Sequence, residues 1–250
     1  MAPSQNISLE GKVAFISGAS KGIGVAISEA FSSAGADLVL TARNAEELEQ
    51  TAESARKSGS KVWTQTAEMA DAEEVKSLAK NTLEQFDRVD ILVNNAGVTI
   101  PQPILEAEIK KFHTIINVNV LAPLLLTQSF APGMIERGHG KIINVSSIGG
   151  RKGAFGRSAY RVTKSGLISF TESLAAEVYQ HGINVNAICP GGTDTEGFRA
   201  AFNTKGRSEN PTLMDPAEIA EVALFLASDA SSAITGTAID SFGGSNPIFS

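Results

Sequence analysis

The chain has 250 residues, enough to bury one substantial core, and with 42% hydrophobic and 19% charged residues and no long run of like charge it has the composition of an ordinary globular protein. A net charge of −6 and a sequence pI near 5.2 oppose a phosphate-tracking surface, which argues against nucleic acid and anionic membrane as partners. The only cysteine, Cys189, rules out an intrachain disulfide and suits a cytoplasmic setting; His113, His139 and His181 are scattered without ligand spacing, so no metal is expected.

Residues 1–8 read as a loose leader without the basic and apolar blocks of a secretory signal. A β-branched run at 12–17 predicts the first strand, and helical spacing over 22–34 predicts the first helix, stopped at Gly35. The alternation continues with strand 38–41, helix 46–57 ahead of Gly59, strand 61–66, helix 72–86 and strand 89–93. Helical spacing then runs over 110–135 towards Gly138, and its apolar stretch 120–126 is far short of a bilayer span. Strand 141–145, helix 159–179 with Gly182 beyond it, strand 183–188, helix 217–227 and strand 237–240 complete the series. Parallel strands need crossovers, and helices supply them here. The pattern therefore predicts one α/β domain over 1–250, a doubly wound, Rossmann-type parallel sheet of about seven strands with helices on both faces. No linker tract, repeat or low-complexity block divides it.

Two motifs carry chemistry. Gly18-Ala19-Ser20-Lys21-Gly22-Ile23-Gly24 follows the first strand and opens the first helix, where glycines allow a tight turn and helix N–H groups face a pyrophosphate. Its G-x-x-x-G-x-G spacing differs from the general dinucleotide fingerprint, and the same residues satisfy the G-x-S-x-G elbow of a serine hydrolase using Ser20. Tyr160 and Lys164 stand four apart in a helical stretch, one above the other on one face. An ammonium beside a phenol stabilises the phenolate, so the spacing predicts a Tyr160 pKa lowered from about 10 towards neutrality.

With these motifs and Asn94-Asn95-Ala96-Gly97 after the fourth strand, the chain resembles the short-chain dehydrogenases/reductases over nearly its whole length, in particular their 3-oxoacyl-reductase-like members. The resemblance implies a catalytic set of Asn119, Ser147, Tyr160 and Lys164: Ser147 stands thirteen residues before Tyr160, and Asn119 rather than Asn117 fits the family's V-N motif. In relatives the tyrosine exchanges the proton and the serine bonds the substrate oxygen. The lysine holds the nicotinamide ribose and biases the tyrosine to phenolate, and the asparagine orders a water. Gly18, Ser20, Lys21, Gly22, Ile23 and Gly24 would cradle the cofactor, with Glu68 and Met69 near its adenine, Asn95, Ala96 and Gly97 along its middle, and Pro190, Gly191, Thr193 and Thr195 under the nicotinamide. Tyr160 and Lys164 touch it as well. Cys189 reads as core packing.

Ala42 stands where NAD-dependent relatives place an acid, and Arg43 follows where a basic residue can fork onto a 2′-phosphate, which with Lys21 favours NADP(H) over NAD(H). Residues 196–214 are expected to form a substrate lid, with Phe198, Phe202 and Leu213 as its apolar side chains. His181 replaces a carrier-docking basic residue, and Ser241-Phe242-Gly243-Gly244 replaces the usual V-D-G-G near a subunit contact. The expected activity is hydride transfer between NADP(H) and a small-molecule ketone or secondary alcohol, without a metal, in a homotetramer, with a dimer as the alternative. The alternatives are a nucleotide-binding sensor without turnover and the serine hydrolase.

Overall fold

The computed structural model describes residues 7–245; most of the expected leader, residues 1–6, lies outside them. Seven parallel strands form one sheet: β1 (Val13–Ser17), β2 (Asp37–Ala42), β3 (Val62–Thr66), β4 (Ile91–Asn94), β5 (Gly140–Val145), β6 (Ile183–Pro190) and β7 (Thr237–Ser241). Their order is β3-β2-β1-β4-β5-β6-β7, so the direction of winding reverses between β1 and β4 and opens a crevice at the carboxyl edge there.

The helices are α1 (Ile23–Ser33), α2 (Ala45–Arg56), α3 (Ala72–Phe86), α4 (Ile109–Ile116), α5 (Ala122–Arg137), α6 (Ser158–Val178), α7 (Glu196–Phe202) and α8 (Pro216–Ala227). Alternation along the strands sends Ala14, Ile16, Leu38, Leu40, Ile91 and Val93 to the core beneath α1, α2 and α8. Val13, Phe15, Val39 and Leu92 face the other core, beneath α3, α5 and α6. There Phe15 meets Phe130 with ring centroids 5.1 Å apart, and truncating either ring to Ala would cost about 3–5 kcal/mol.

Helix starts follow from side chains that satisfy first-turn N–H groups. Asn44 accepts from Glu46 and Glu47, Asp71 from Glu73 and Glu74, and Asp215 forms a capping box with Glu218 ahead of α8. Two departures from the expected elements matter for function. The helix expected over 110–135 is interrupted by a π-turn at Asn117–Leu121, and the lid contains the short helix α7. The helical run Ile109–Arg137 is long and apolar enough to cross a membrane by length and composition, but half of its most apolar window is buried inside the fold.

Candidate active site

The turns after β1 and β4 are laced together at the switch point. Ser17 Oγ accepts from the backbone N–H groups of Asn95 (3.1 Å) and Ala96 (3.0 Å), and Asn95 Nδ2 donates to the carbonyls of Ser17 (2.9 Å) and Gly18 (3.1 Å). Gly18 has φ +66°, and a Cβ there would lie 2.9 Å from Ala96 Cα, so only glycine allows the approach. Gly22 caps α1 with no side-chain hydrogen bond, leaving the Ile23 and Gly24 end of the helix a free donor set for an anion. Ser20 is partly buried and Lys21 is half exposed beside it.

Lys21 Nζ is held by Glu47 (2.8 Å) and Glu196 (2.9 Å), which together raise its pKa; it ties the glycine turn to α2 and to the first residue of α7. Arg43, largely exposed, lies 3.7 Å from Glu68, whose other carboxylate oxygen accepts from Ala70 N–H. Both residues expected to meet the adenosine end therefore share one loose ion pair at the surface. The Met69 side chain is buried in the core with Ala67 and Val75, so only its backbone can face a ligand.

Ser147, Tyr160 and Lys164 converge beyond β5. Ser147 Oγ accepts from Gly149 N–H at 2.9 Å and hydrogen-bonds the Tyr160 hydroxyl. Burial raises the Tyr160 pKa, while the Ser147 bond and then Arg157 and Arg161 oppose the rise. This reverses the lowering expected from the Tyr-to-Lys spacing. The physical reason is that Lys164 Nζ turns away to donate to Val145 O at 2.7 Å and stands 5.8 Å from the Tyr160 ring centroid, too far to offset desolvation of the phenolate. Lys164 is itself buried, and desolvation pulls its pKa down to about 8. A Cβ on Gly97 would sit 3.3 Å from Lys164 Nζ, so this glycine leaves open the space over the ammonium.

The π-turn brings Asn119 fully inside. Its Oδ1 accepts from Val98 N–H at 2.8 Å, and Nδ2 donates to Val98 O and Thr163 Oγ1, each at 3.0 Å. Both amide donors are committed, so the side chain fixes the turn after β4 against α6. Asn117 instead donates to Ala70 O. Thr195 Oγ1 caps α7 by accepting from Phe198 N–H, the Thr195 methyl lies against Gly22, and Thr193 is buried with a long bond to Gly191 O at 3.3 Å. Pro190 ends β6, and Gly191 N–H donates to Ser241 O. Cys189 is fully buried, as expected of core packing.

Four side chains were not singled out from sequence: Ser17, Thr163, Arg157 and Arg161. Thr163 Oγ1 donates to Tyr160 O at 2.7 Å. Arg157 reaches Thr99 and the carbonyl of Ala201 in α7. A like-charged pair four residues apart at 157 and 161 was the available signal for the arginines.

The hydrolase alternative lacks a base. Ser20 follows β1 at the carboxyl edge, whereas His139 and His181 immediately precede β5 and β6 at the opposite edge, and His113 is exposed on α4.

Residues 12–206 match the family model described as short chain dehydrogenase. A 3-oxoacyl-[acyl-carrier-protein] reductase of Aquifex aeolicus is 35% identical over 95% of this chain and 98% of its own. Among solved structures, L-sorbose reductase of Gluconobacter frateurii, complexed with NADPH and L-sorbose, superposes with a TM-score of 0.89 at 32% identity, covering 96% and 98% of the two chains. A candidate NAD(P)-dependent gluconate 5-dehydrogenase of Beutenbergia cavernae, with NADP bound at low occupancy, gives a TM-score of 0.88 at 31% identity over 95% and 98%.

Proposed function

The chain belongs to the short-chain dehydrogenase family, and from that premise we propose that it interconverts a ketone and a secondary alcohol with a nicotinamide cofactor, NADP(H) in preference to NAD(H). The observation that carries the reading is the meeting of Ser147, Tyr160 and Lys164 at the carboxyl edge of a sheet whose glycine turn and uncapped α1 terminus suit a pyrophosphate. The residues fit the cofactor: the Gly18 turn admits only backbone, and Gly97 leaves room over Lys164.

When bound, the nicotinamide supplies or accepts the hydride. Tyr160 holds the proton at its hydroxyl, and its raised pKa suits a donor to a developing alkoxide. Ser147, fixed by Gly149 N–H, aims its hydrogen at the same oxygen and stabilises charge there. Lys164, with a pKa of about 8, is mostly charged at neutral pH and keeps two N–H bonds beyond the one to Val145 for ribose hydroxyls. Asn119 positions the turn holding Gly97.

Gly18, Ser20, Lys21, Gly22, Ile23 and Gly24 hold the phosphates, and the backbones of Met69, Asn95, Ala96, Pro190, Gly191 and Thr193 with the Thr195 hydroxyl line the rest of the groove. Arg43 is placed to leave Glu68 for a 2′-phosphate; the relatives carrying NADP and NADPH support that preference. Residues 196–214 act as the lid. A cytoplasmic homotetramer or dimer acting on a small molecule completes the proposal.

The test follows reduced-nicotinamide absorbance with NADPH and NADH in parallel over linear, cyclic, sugar and 3-oxoacyl ketones. Turnover is expected with NADPH favoured at least tenfold, and Tyr160→Phe should lower kcat by about 10²-fold or more. Tight NADPH binding with no Tyr160-dependent turnover of any ketone would replace this proposal with the nucleotide-sensing reading.

A further inference from the structure

Helix α6 is fastened to its surroundings by two threonines of the same design. Thr171 Oγ1 accepts from Asn144 Nδ2 at 2.9 Å and donates to Leu167 O at 2.8 Å, tying the helix to β5. Thr163 Oγ1 accepts from Asn119 Nδ2 at 3.0 Å and donates to Tyr160 O at 2.7 Å, tying the helix to the π-turn. Both threonines and both asparagines are buried, so these hydroxyls make their bonds inside the protein. The two differ in the carbonyl they reach. Thr171 bonds four residues back, as Thr51, Thr82 and Thr114 do in their helices, whereas Thr163 bonds three back, to the carbonyl of Tyr160 itself.

Asn119 carries the connection onward. It accepts from Val98 N–H and donates to Val98 O, so Val98 is held by both of its backbone polar groups. Gly97 precedes it, where an added Cβ would lie 3.3 Å from Lys164 Nζ and 3.5 Å from Asn119 Oδ1. An unbroken chain of hydrogen bonds therefore runs from the turn after β4, through Asn119 and Thr163, to the peptide of Tyr160. One end of this chain lines the groove proposed for the cofactor, and the other carries the phenol that meets Ser147. Hydride and proton must reach the two atoms of one carbonyl group, and a misplacement of about 1 Å costs about 10²-fold in rate. Its β-branched side chain leaves Thr163 few χ1 rotamers, which makes it a stiff link.

We infer that Thr163 is a positioning residue for the reaction: its hydroxyl locks the peptide of Tyr160 to the turn that carries Gly97, and so sets the proton donor against the cofactor. The inference rests on the ketone-reductase reading and adds to it a buried residue that acts through Tyr160. Thr171 is the built-in control. It stands about 12 Å further along α6 with the same pattern of bonds, and its asparagine leads to β5 rather than to the turn.

Matched variants test it. Thr163→Val and Thr171→Val each keep the side-chain shape and lose a buried hydroxyl, so both should lower Tm by a similar amount, about 2–4 °C. Only Thr163→Val should slow the reaction. With NADPH and the ketone that the wild type reduces fastest, its kcat should fall about tenfold or more with both KM values held within about twofold, while Thr171→Val stays within about twofold in kcat. Thr163→Ser restores the hydroxyl and should recover kcat to within about threefold of the wild type. Thr163→Ala, which removes the hydroxyl without adding a methyl, should repeat the loss seen in Thr163→Val. A second readout needs no turnover. Amide hydrogen exchange over residues 96–100 should quicken in Thr163→Val, because the acceptor of Val98 N–H is no longer anchored to α6, and should stay at the wild-type rate in Thr171→Val and Thr163→Ser. The inference is overturned if Thr163→Val and Thr171→Val lower kcat equally, if Thr163→Ser is as slow as Thr163→Val, or if exchange over 96–100 is unmoved in Thr163→Val. Tyr160-dependent reduction that survives undiminished in Thr163→Val would leave the reductase reading standing while removing this one, whereas a wild type that reduces no ketone would remove both.

Discussion

Ser146 and Ser147 are adjacent in sequence and face different work. Ser146 Oγ is buried and donates to the Lys164 carbonyl at 2.8 Å, clamping β5 to α6, while Ser147 turns its hydroxyl to Tyr160. The two should therefore separate stability from chemistry. Ser146→Ala loses one buried hydrogen bond, about 1 kcal/mol, and should lower Tm by about 2–4 °C. Ser147→Ala should cost about 10²-fold or more in kcat with a smaller change in Tm, because the interaction it removes strengthens as charge develops on the substrate oxygen. Thermal melts and steady-state kinetics on both variants check this, and equal effects on both readouts would sink the assignment. The expectation for Ser147 came from the family resemblance, and the structure brings its hydroxyl to Tyr160. The ionisation of Tyr160 was not legible, because burial and the turning of Lys164 towards Val145 are tertiary facts that a four-residue spacing does not contain.

At the scale of elements, the strands were legible because a parallel sheet covered on both faces needs unbroken apolar runs, and β1, β2, β4 and β5 have them. The π-turn at Asn117–Leu121 was hidden, since one inserted residue barely disturbs helical hydrophobic spacing while it re-aims Asn119 inward. Helix α7 was hidden as well, being only seven residues long. Its anchor is Asp194, which accepts from Arg199 Nη1 at 2.7 Å and from Arg207 N–H at 3.1 Å. The Arg207 N–H first, and Arg199 with it, hold the Asp194 carboxyl below the usual carboxylate range. Asp194→Asn keeps the side-chain size and loses the charge that gathers both ends of the lid. The expected result is a several-fold rise in KM and faster limited proteolysis within 196–214, with Tm little changed. An unaltered proteolysis rate would show that the lid is held elsewhere.

Across the whole molecule the two edges of the sheet do different things. The carboxyl edge gathers the candidate chemistry, while the amino edge carries an electrostatic seam running through Lys12, Asp90, His139, Lys141 and Asp229. Lys12 Nζ donates to His139 Nε2 at 2.7 Å, an arrangement that requires the imidazole to be neutral. Burial first, then Lys12 and, more weakly, Lys141, lower the His139 pKa; Asp229 and Asp90 oppose them. Asp90 has little charge to spare, because it already accepts from Val13 N–H and Arg88 and lies 3.7 Å from Arg137. The sign follows from linkage: with its folded pKa below about 6.5, His139 binds a proton more readily in the unfolded chain, so its contribution is present above that pH and is lost as pH falls through the folded value. On protonation the Lys12 bond is broken and two cations abut at the start of β5, beside the buried Lys141. His139→Gln removes this titration. Near pH 7.5 it should melt at or below the wild type, and as pH falls towards 5 the wild type should lose roughly 2–4 °C relative to the variant. Paired melting curves of constant ionic strength across that range decide it. A constant difference between the two proteins would mean that His139 binds protons equally in the folded and unfolded states and that acid sensitivity arises from other groups.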